Sequence, residues 1–220
     1  MNVLYEDNHL LVVEKPYGVP SQADSSGDKD MHSIAKAYVK EKYNKPGDVY
    51  LGLVHRLDRP TRGVMVFART SKAAARLTKQ IQSGEFQKTY FAVLTAAPAQ
   101  KENTLTHYIL KDEKNRMARV FDAPRDGARK ATLRYETLEK RDGLCLVRVY
   151  LQTGRFHQIR AQFAHIGCAV YGDMKYGNQR IKEKLALFAS EVRLTHPTKK
   201  EPMRFSLSPA HHPFSMFEIQ

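Results

Sequence analysis

Leu53-Val54-His55-Arg56-Leu57-Asp58-Arg59-Pro60-Thr61-Arg62-Gly63-Val64-Met65-Val66-Phe67-Ala68 is the stretch whose reading decides the fold. Apolar residues lead into it, and an almost unbroken apolar run, Val64 to Ala68, leads out. Between them lies a polar bend. Two buried strands joined by a charged corner write this pattern. The corner sets one carboxylate, Asp58, among Arg56, Arg59 and Arg62, a setting that favours its ionised form. The same residues also suit a plain turn carrying a surface ion pair.

Working outward, the segments on either side read as short elements. Val3–Tyr5 and Leu10–Val13, separated by Asp7-Asn8, suit paired strands. Lys15-Pro16-Tyr17-Gly18-Val19-Pro20 breaks regular structure, and Ser21–Lys29 is polar. Asp30 caps a helix reaching about Tyr43, with Ile34, Tyr38 and Val39 turned inward, and Pro46-Gly47 stops it. Beyond the corner, Thr70-Ser71 caps a helix that places Ala74, Leu77, Thr78 and Ile81 on one face and ends at Gly84. A strand follows over Lys88–Thr95. Ala131–Arg141 and Leu144–Gln152, joined at Asp142-Gly143, make the clearest hairpin. It runs into Thr153-Gly154-Arg155 and a helix with Ile159, Phe163 and Ile166 at helical spacing. Leu187–Thr195 and Met203–Leu207 read as closing strands. Lys111–Lys130 reads as a basic loop, with seven basic residues against four acidic ones and Met117 and Phe121 interleaved. The sum is an α+β fold with a mixed, largely antiparallel sheet.

Composition bounds the partners. The 220 residues suffice for one domain with a sizeable core, and a single domain over residues 1–220 is expected. A formal net charge of +13 points to a polyanion, nucleic acid before membrane. No apolar run approaches the ~20 residues that span a bilayer. The N-terminus lacks the features of a signal peptide. Cys145 and Cys168 form neither a zinc spacing nor a disulfide framework, and each sits in an apolar segment. A cytoplasmic protein is expected. The spacing of His55, His107, His157 and His165 supports no metal site.

Three ordered motifs carry a family resemblance. His55-Arg56-Leu57-Asp58-Arg59-Pro60-Thr61-Arg62-Gly63 resembles the H-R-L-D-x-x-T-S-G signature of the RluA-type pseudouridine synthases. Gln87-Lys88-Thr89-Tyr90-Phe91-Ala92-Val93-Leu94 is similar to that family's K-x-Y-x-A strand. Leu151-Gln152-Thr153-Gly154-Arg155-Phe156-His157-Gln158-Ile159-Arg160 is similar to its L-x-T-G-R-x-H-Q-[IL]-R segment. The likeness runs from about Val3 to Leu207. It implies the pseudouridine synthase fold, with helices flanking a central sheet and an RNA-binding cleft. It also implies isomerisation of a specific uridine to pseudouridine in structured rRNA or tRNA.

That reaction breaks the C1′–N1 glycosidic bond, turns the uracil and rejoins it through C5, with no net redox change and no hydrolysis. It needs no cofactor and no metal, and the chain has no G-x-G-x-x-G, G-x-x-x-x-G-K or H-E-x-x-H. One carboxylate suffices as nucleophile or base. The resemblance makes Asp58 that catalytic residue; attack on the sugar, attack on the base and removal of a ribose proton are all open to it. Arg160 matches the arginine that pairs with the catalytic carboxylate. Arg56 matches the arginine that holds the space left by the flipped base, and Tyr90 the tyrosine that packs against the uracil. Arg155, His157 and Gln158 match motif positions and equally suit a loop-orienting role. Lys15, in the family's K-P-x-G segment, is a candidate RNA contact.

Two positions depart from the pattern: Arg62 replaces the usual Ser, and Phe188 replaces the His of a usual L-H-A. No S4-type RNA-binding module is visible, so the chain reads as a stand-alone catalytic domain acting as a monomer, with RNA as its partner. The competing readings are a non-catalytic RNA-binding module and a metal-dependent nuclease.

Overall fold

The computed structural model describes residues 1–178 and 180–219. The chain forms two compact units, one from Met1–Gln87 with Ala189–Leu207, the other from Lys88–Phe188 with Ser208–Gln220. The fold is α+β, with mixed, largely antiparallel strand pairing.

The first unit is built on β1 (Asn2–Glu6), β2 (Leu10–Lys15), β3 (Gly52–Leu53), β4 (Arg62–Ala68), β10 (Leu187–Thr195) from Ala189 onward, and β11 (Pro202–Ser206). β1 pairs with β2, and β2 with β4, both antiparallel, in a register that sets Lys15 opposite Gly63. β3 pairs with the far end of β4, and β11 with β10. Leu10, Val12, Val64, Val66 and Ala68 pack with Ala73 and Leu77 of α2 (Ser71–Ser83) and with Val192 and Leu194. The alternate residues Leu11, Val13, Met65 and Phe67 are equally buried. A strand covered on both faces loses the in–out alternation, and this is why Val64–Ala68 reads as an unbroken apolar run. α1 (Met31–Lys42) starts where expected, with the Asp30 carboxylate accepting from the Ser33 N–H. Its inner face differs from the expectation: Met31, Ala35 and Val39 are buried at i, i+4 spacing, while Ile34 and Tyr38 are half-buried. α2 is capped by Thr70 and ends at Gly84 in the left-handed region. Thr78, expected inward, is exposed, and Gln80 takes the inner place by bonding the Thr195 backbone at both ends of its amide.

The second unit orders its strands β5 (Gln87–Leu94), β9 (Leu144–Leu151), β8 (Arg129–Arg141), β6 (Glu102–Asp112) and β7 (Met117–Phe121), all antiparallel. The β8–β9 hairpin is the one expected at Asp142-Gly143. The basic stretch expected to be a loop instead holds the end of β6, all of β7 and the start of β8, and the β6–β7 hairpin turns within it. Leu105, His107 and Ile109 alternate inward along β6, a period of two in the uncharged run just before that stretch. α3 (Gln158–His165) is shorter than its apolar spacing suggested, because Ile166 is already its cap. Both cysteines are buried and free.

Gly63, the second residue of β4, has φ of +133°, and a Cβ there would lie 2.1 Å from the Ala189 carbonyl oxygen. Gly63→Ala is therefore expected to destabilise the protein by more than about 3 kcal/mol, read as a fall in the denaturant midpoint, through strain and backbone collision together.

Candidate active site

The corner after β3 is held by side chains that stand in for backbone. β3 bonds to β4 for only two residues, and the next donor on β4, the Val66 N–H, bonds the His55 Nε2 at 2.9 Å. A nitrogen that accepts a backbone N–H carries no proton, so His55 is a neutral imidazole with its proton on Nδ1. The motif histidine is thus a structural piece of the sheet. The chain then turns: the Thr61 N–H bonds the Asp58 carbonyl at 2.9 Å, and Leu57 and Thr61 are buried. The Ser21 hydroxyl donates to the Leu57 carbonyl at 2.7 Å and the Leu57 N–H donates back to it at 3.0 Å.

Lys15 is the residue that the sequence reading misplaced. As a candidate RNA contact it should be exposed, but it is 0% exposed. Its Nζ donates to the carbonyls of Pro16 at 3.0 Å, Val19 at 2.6 Å and Arg59 at 3.0 Å. Burial pulls the ammonium down to about 7, and the Asp58 carboxylate pulls it up. Three carbonyl acceptors require three N–H donors, which only the protonated form supplies. A second tie joins the same two loops, with the Gly18 N–H on the Arg59 carbonyl and Arg59 Nε on the Gly18 carbonyl, each 3.0 Å.

Two of the arginines flanking Asp58, Arg59 and Arg62, have carboxylate partners elsewhere. Arg59 pairs with Asp28 and stands 3.8 Å from Asp24. Arg62, at the position usually held by Ser, pairs with Glu14 at 2.6 Å from an exposed site, so the added charge is met across the β2–β4 pair. Arg56 is exposed and Asp58 half-buried.

In the second unit, Tyr90 lies buried in β5 opposite Val149. Beside it in sequence, Lys88 is held below the usual lysine range by burial, and a Cβ on Gly154 would come to 3.4 Å from its Nζ. The Thr153–Arg155 loop is braced by Gln158. Its Oε1 lies 2.8 Å from the Thr153 hydroxyl and accepts the Arg155 N–H at 3.0 Å, while its Nε2 donates to the Thr132 carbonyl at 3.1 Å. Of the two readings for Gln158, this geometry is the loop-orienting one. His157 adopts the left-handed conformation (φ 51°) with the Phe156 ring stacked on it at 3.8 Å, and its Nδ1 meets the Tyr176 hydroxyl at 2.8 Å.

Arg160 is 4% exposed and grips a carboxylate that the sequence reading passed over as a loop signal. Its Nε lies 2.7 Å from Asp173 Oδ2 and its Nη2 2.8 Å from Oδ1, a two-pronged pair. Asp173 also accepts the backbone N–H groups of Lys175 and Tyr176. Burial raises its pKa, but the Arg160 bond and charge and these N–H groups outweigh it and leave the carboxyl below its usual range. Tyr-Gly-Asp was visible as a turn, yet nothing in its spacing tied it to Arg160. Phe188, where the family usually has His, is buried, with His211 and Phe214 rings each 6.4 Å away.

Residues 9–165 match the RNA pseudouridylate synthase family. The chain belongs to that family. It is 32% identical to the ribosomal large subunit pseudouridine synthase D of Xanthomonas campestris pv. campestris, over 94% of this chain and 65% of that protein. It is 30% identical to an RNA pseudouridine synthase of Bacillus subtilis named as uncharacterized, over 91% of this chain and 66% of that one. A tRNA pseudouridine synthase C of Vibrio cholerae is 29% identical, over 92% of this chain and 88% of that protein. The chain thus spans just under two thirds of the length of the first two relatives. The structure of human RNA pseudouridylate synthase domain containing 4 has the same fold, with a TM-score of 0.78 at 22% identity, over 94% of this chain and 88% of that one. No helix among the described residues is long and apolar enough to cross a membrane.

Two outcomes follow from this geometry. Lys15→Met keeps the volume but strands the Pro16 and Val19 carbonyls and leaves that of Arg59 with the Gly18 N–H, so it is expected to lower stability by about 2–4 kcal/mol in a denaturant titration. Asp173→Asn leaves Arg160 buried against a neutral partner and is expected to cost about 3–5 kcal/mol at pH 7. Because the folded carboxyl lies below its unfolded value, its contribution is full above about pH 4 and is lost as pH falls through the folded value. Acid titration of stability should accordingly be flatter in Asp173→Asn than in wild type over that window.

Proposed function

We propose that this protein isomerises a uridine to pseudouridine in structured RNA, with residues 1–220 acting as one catalytic domain. The observation that carries the reading is family membership together with an intact Asp58, set in a corner that Lys15, Ser21 and His55 brace from three sides. Asp58 supplies the reacting carboxylate, as nucleophile or as base. The C1′–N1 bond breaks with its electron pair left on N1, the uracil turns, C5 bonds to C1′, and the C5 proton is lost to a base while N1 takes up a proton. Arg160 serves as the cation for that carboxylate, Tyr90 packs against the uracil and Arg56 holds the space the base vacates. Its exposure suits Arg56 to that contact.

The relatives' names point to large-subunit rRNA and to tRNA, and either class is a substrate in this reading. A net charge of +13 supports a phosphate grip. We take the enzyme to act as a monomer in the cytoplasm without cofactor.

The target uridine is expected in a loop, bulge or easily opened stem, where extrusion is cheapest. Asp58→Asn keeps the side chain's shape while removing the reacting charge. Tritium release from C5-labelled rRNA and tRNA should disappear in this variant, while RNA affinity stays within about tenfold, or ~1.4 kcal/mol. Turnover near wild type would remove Asp58 from the mechanism. Wild-type affinity is also expected to fall at least about tenfold between 50 and 200 mM salt, since phosphate contacts release counterions. A flat salt response would contradict the polyanion grip.

A further inference from the structure

His107 and His165 stand far apart in sequence, and their spacing there suggests nothing. The fold brings them together with Asp122, each from a different element. His107 lies in β6, Asp122 follows β7 and His165 ends α3. One ligand-capable atom from each residue lies within 4.8 Å of the others. Asp122 Oδ1 is 2.8 Å from His165 Nε2 and 3.7 Å from His107 Nε2, and the two rings meet edge to face with centroids 5.0 Å apart.

We propose that His107, Asp122 and His165 bind a divalent transition metal of the zinc class, outside the reaction proposed above and independent of it. Two imidazoles and one carboxylate are borderline donors, a set suited to Zn2+ and poorly suited to Mg2+ or Ca2+, which take oxygen shells. Bonds of about 2.0–2.1 Å in a tetrahedron space the ligand atoms roughly 3.3 Å apart. The distances of 2.8 and 3.7 Å straddle that spacing, so small side-chain rotations close the site. Three protein ligands leave a fourth position for water, on the side where Asp122 is exposed.

A second observation lies behind His107. A ligating imidazole carries its proton on the other ring nitrogen and gives it to an outer partner. His107 Nδ1 faces the Gln162 amide at 3.0 Å. Gln162 is 0% exposed, and its Oε1 is buried with no hydrogen-bond partner among the described residues. Ligation through Nε2 puts the ring proton on Nδ1; turning the amide then brings Oε1 round to accept it, in exchange for the bonds Nε2 now gives the Ala131 carbonyl at 3.2 Å and the Leu105 carbonyl at 3.5 Å. The metal would pin the C-terminal end of α3, the helix carrying Arg160, to the β6–β7 hairpin.

The test uses the full chain without a histidine tag, stripped by a chelator and titrated with ZnSO4 in a calorimeter. We expect one equivalent to bind and the melting temperature to rise by about 5 °C at an excess near one hundred times Kd. MgCl2 at the same concentration should do nothing. Asp122→Ala and His165→Ala remove exposed or partly exposed ligands, so both should fold, with melting in chelator near that of wild type. Each should weaken Zn2+ binding at least tenfold and abolish the shift. For wild type alone, long-range 1H–15N spectra should show Zn2+ perturbing His107 and His165 and moving the His107 proton from Nε2 to Nδ1. No binding, equal binding by wild type and variants, or perturbation confined to other histidines would each overturn the assignment.

Discussion

A single buried ammonium holds the Asp58 corner in place. Lys15 ends β2, and its three N–H groups close on three main-chain carbonyls, two in the turn it begins and one in the corner that carries Asp58. Burying an ammonium is costly unless every donor is met, and here every donor is met. Only a compact head with three diverging donors fits this task; the planar fork of an arginine does not. The bonded carbonyls bring Arg59, and with it Asp58, beside a positive charge that water does not screen. Folding stability and the electrostatic setting of the carboxylate therefore depend on the same group.

The second unit solves a similar problem in the opposite sense. There the buried carboxylate, Asp173, is the organiser, and Arg160 is the group held. Asp173 takes two backbone N–H groups from its own turn, and the remaining valence fixes the plane of the guanidinium. The Tyr176 ring then lies 5.3 Å from that guanidinium, and the Tyr176 hydroxyl accepts the Ala118 N–H at 2.6 Å. Turn, helix and strand are thus registered to one another through an ion pair.

These arrangements explain what sequence could and could not disclose. Val64–Ala68, the Thr70 and Asp30 caps and the Asp142-Gly143 hairpin were legible because each is a local choice, made by a residue and its near neighbours. The β6–β7 hairpin was missed because the charges clustered at its turn, Lys111 to Arg116, made the short strand β7 read as part of a loop. Rotation of a helix about its axis is decided by what it packs on, so Thr78 was placed inward and Ala73 overlooked. The motifs pointed to Asp58, Tyr90, Arg56 and Arg160 through family likeness. Lys15 and Asp173 act through partners 44 and 13 residues away, and no spacing rule announces a lysine that bonds only to carbonyls.

His55 carries a consequence of another kind. Its imidazole supplies the acceptor that a third residue of β3 would otherwise present to Val66, so the chain leaves the sheet early while the ladder runs on. The place where the chain leaves the sheet is therefore fixed twice, by a backbone pair at Leu53–Phe67 and by a side chain at His55–Val66. Point changes at the exposed Arg56 or the half-buried Pro60 leave that double fixing intact. An insertion or deletion between Leu53 and His55 does not, since it slips the backbone pair against the side-chain bond. Descendants of this sequence inherit the interval from Leu53 to His55, because it sets where the corner begins.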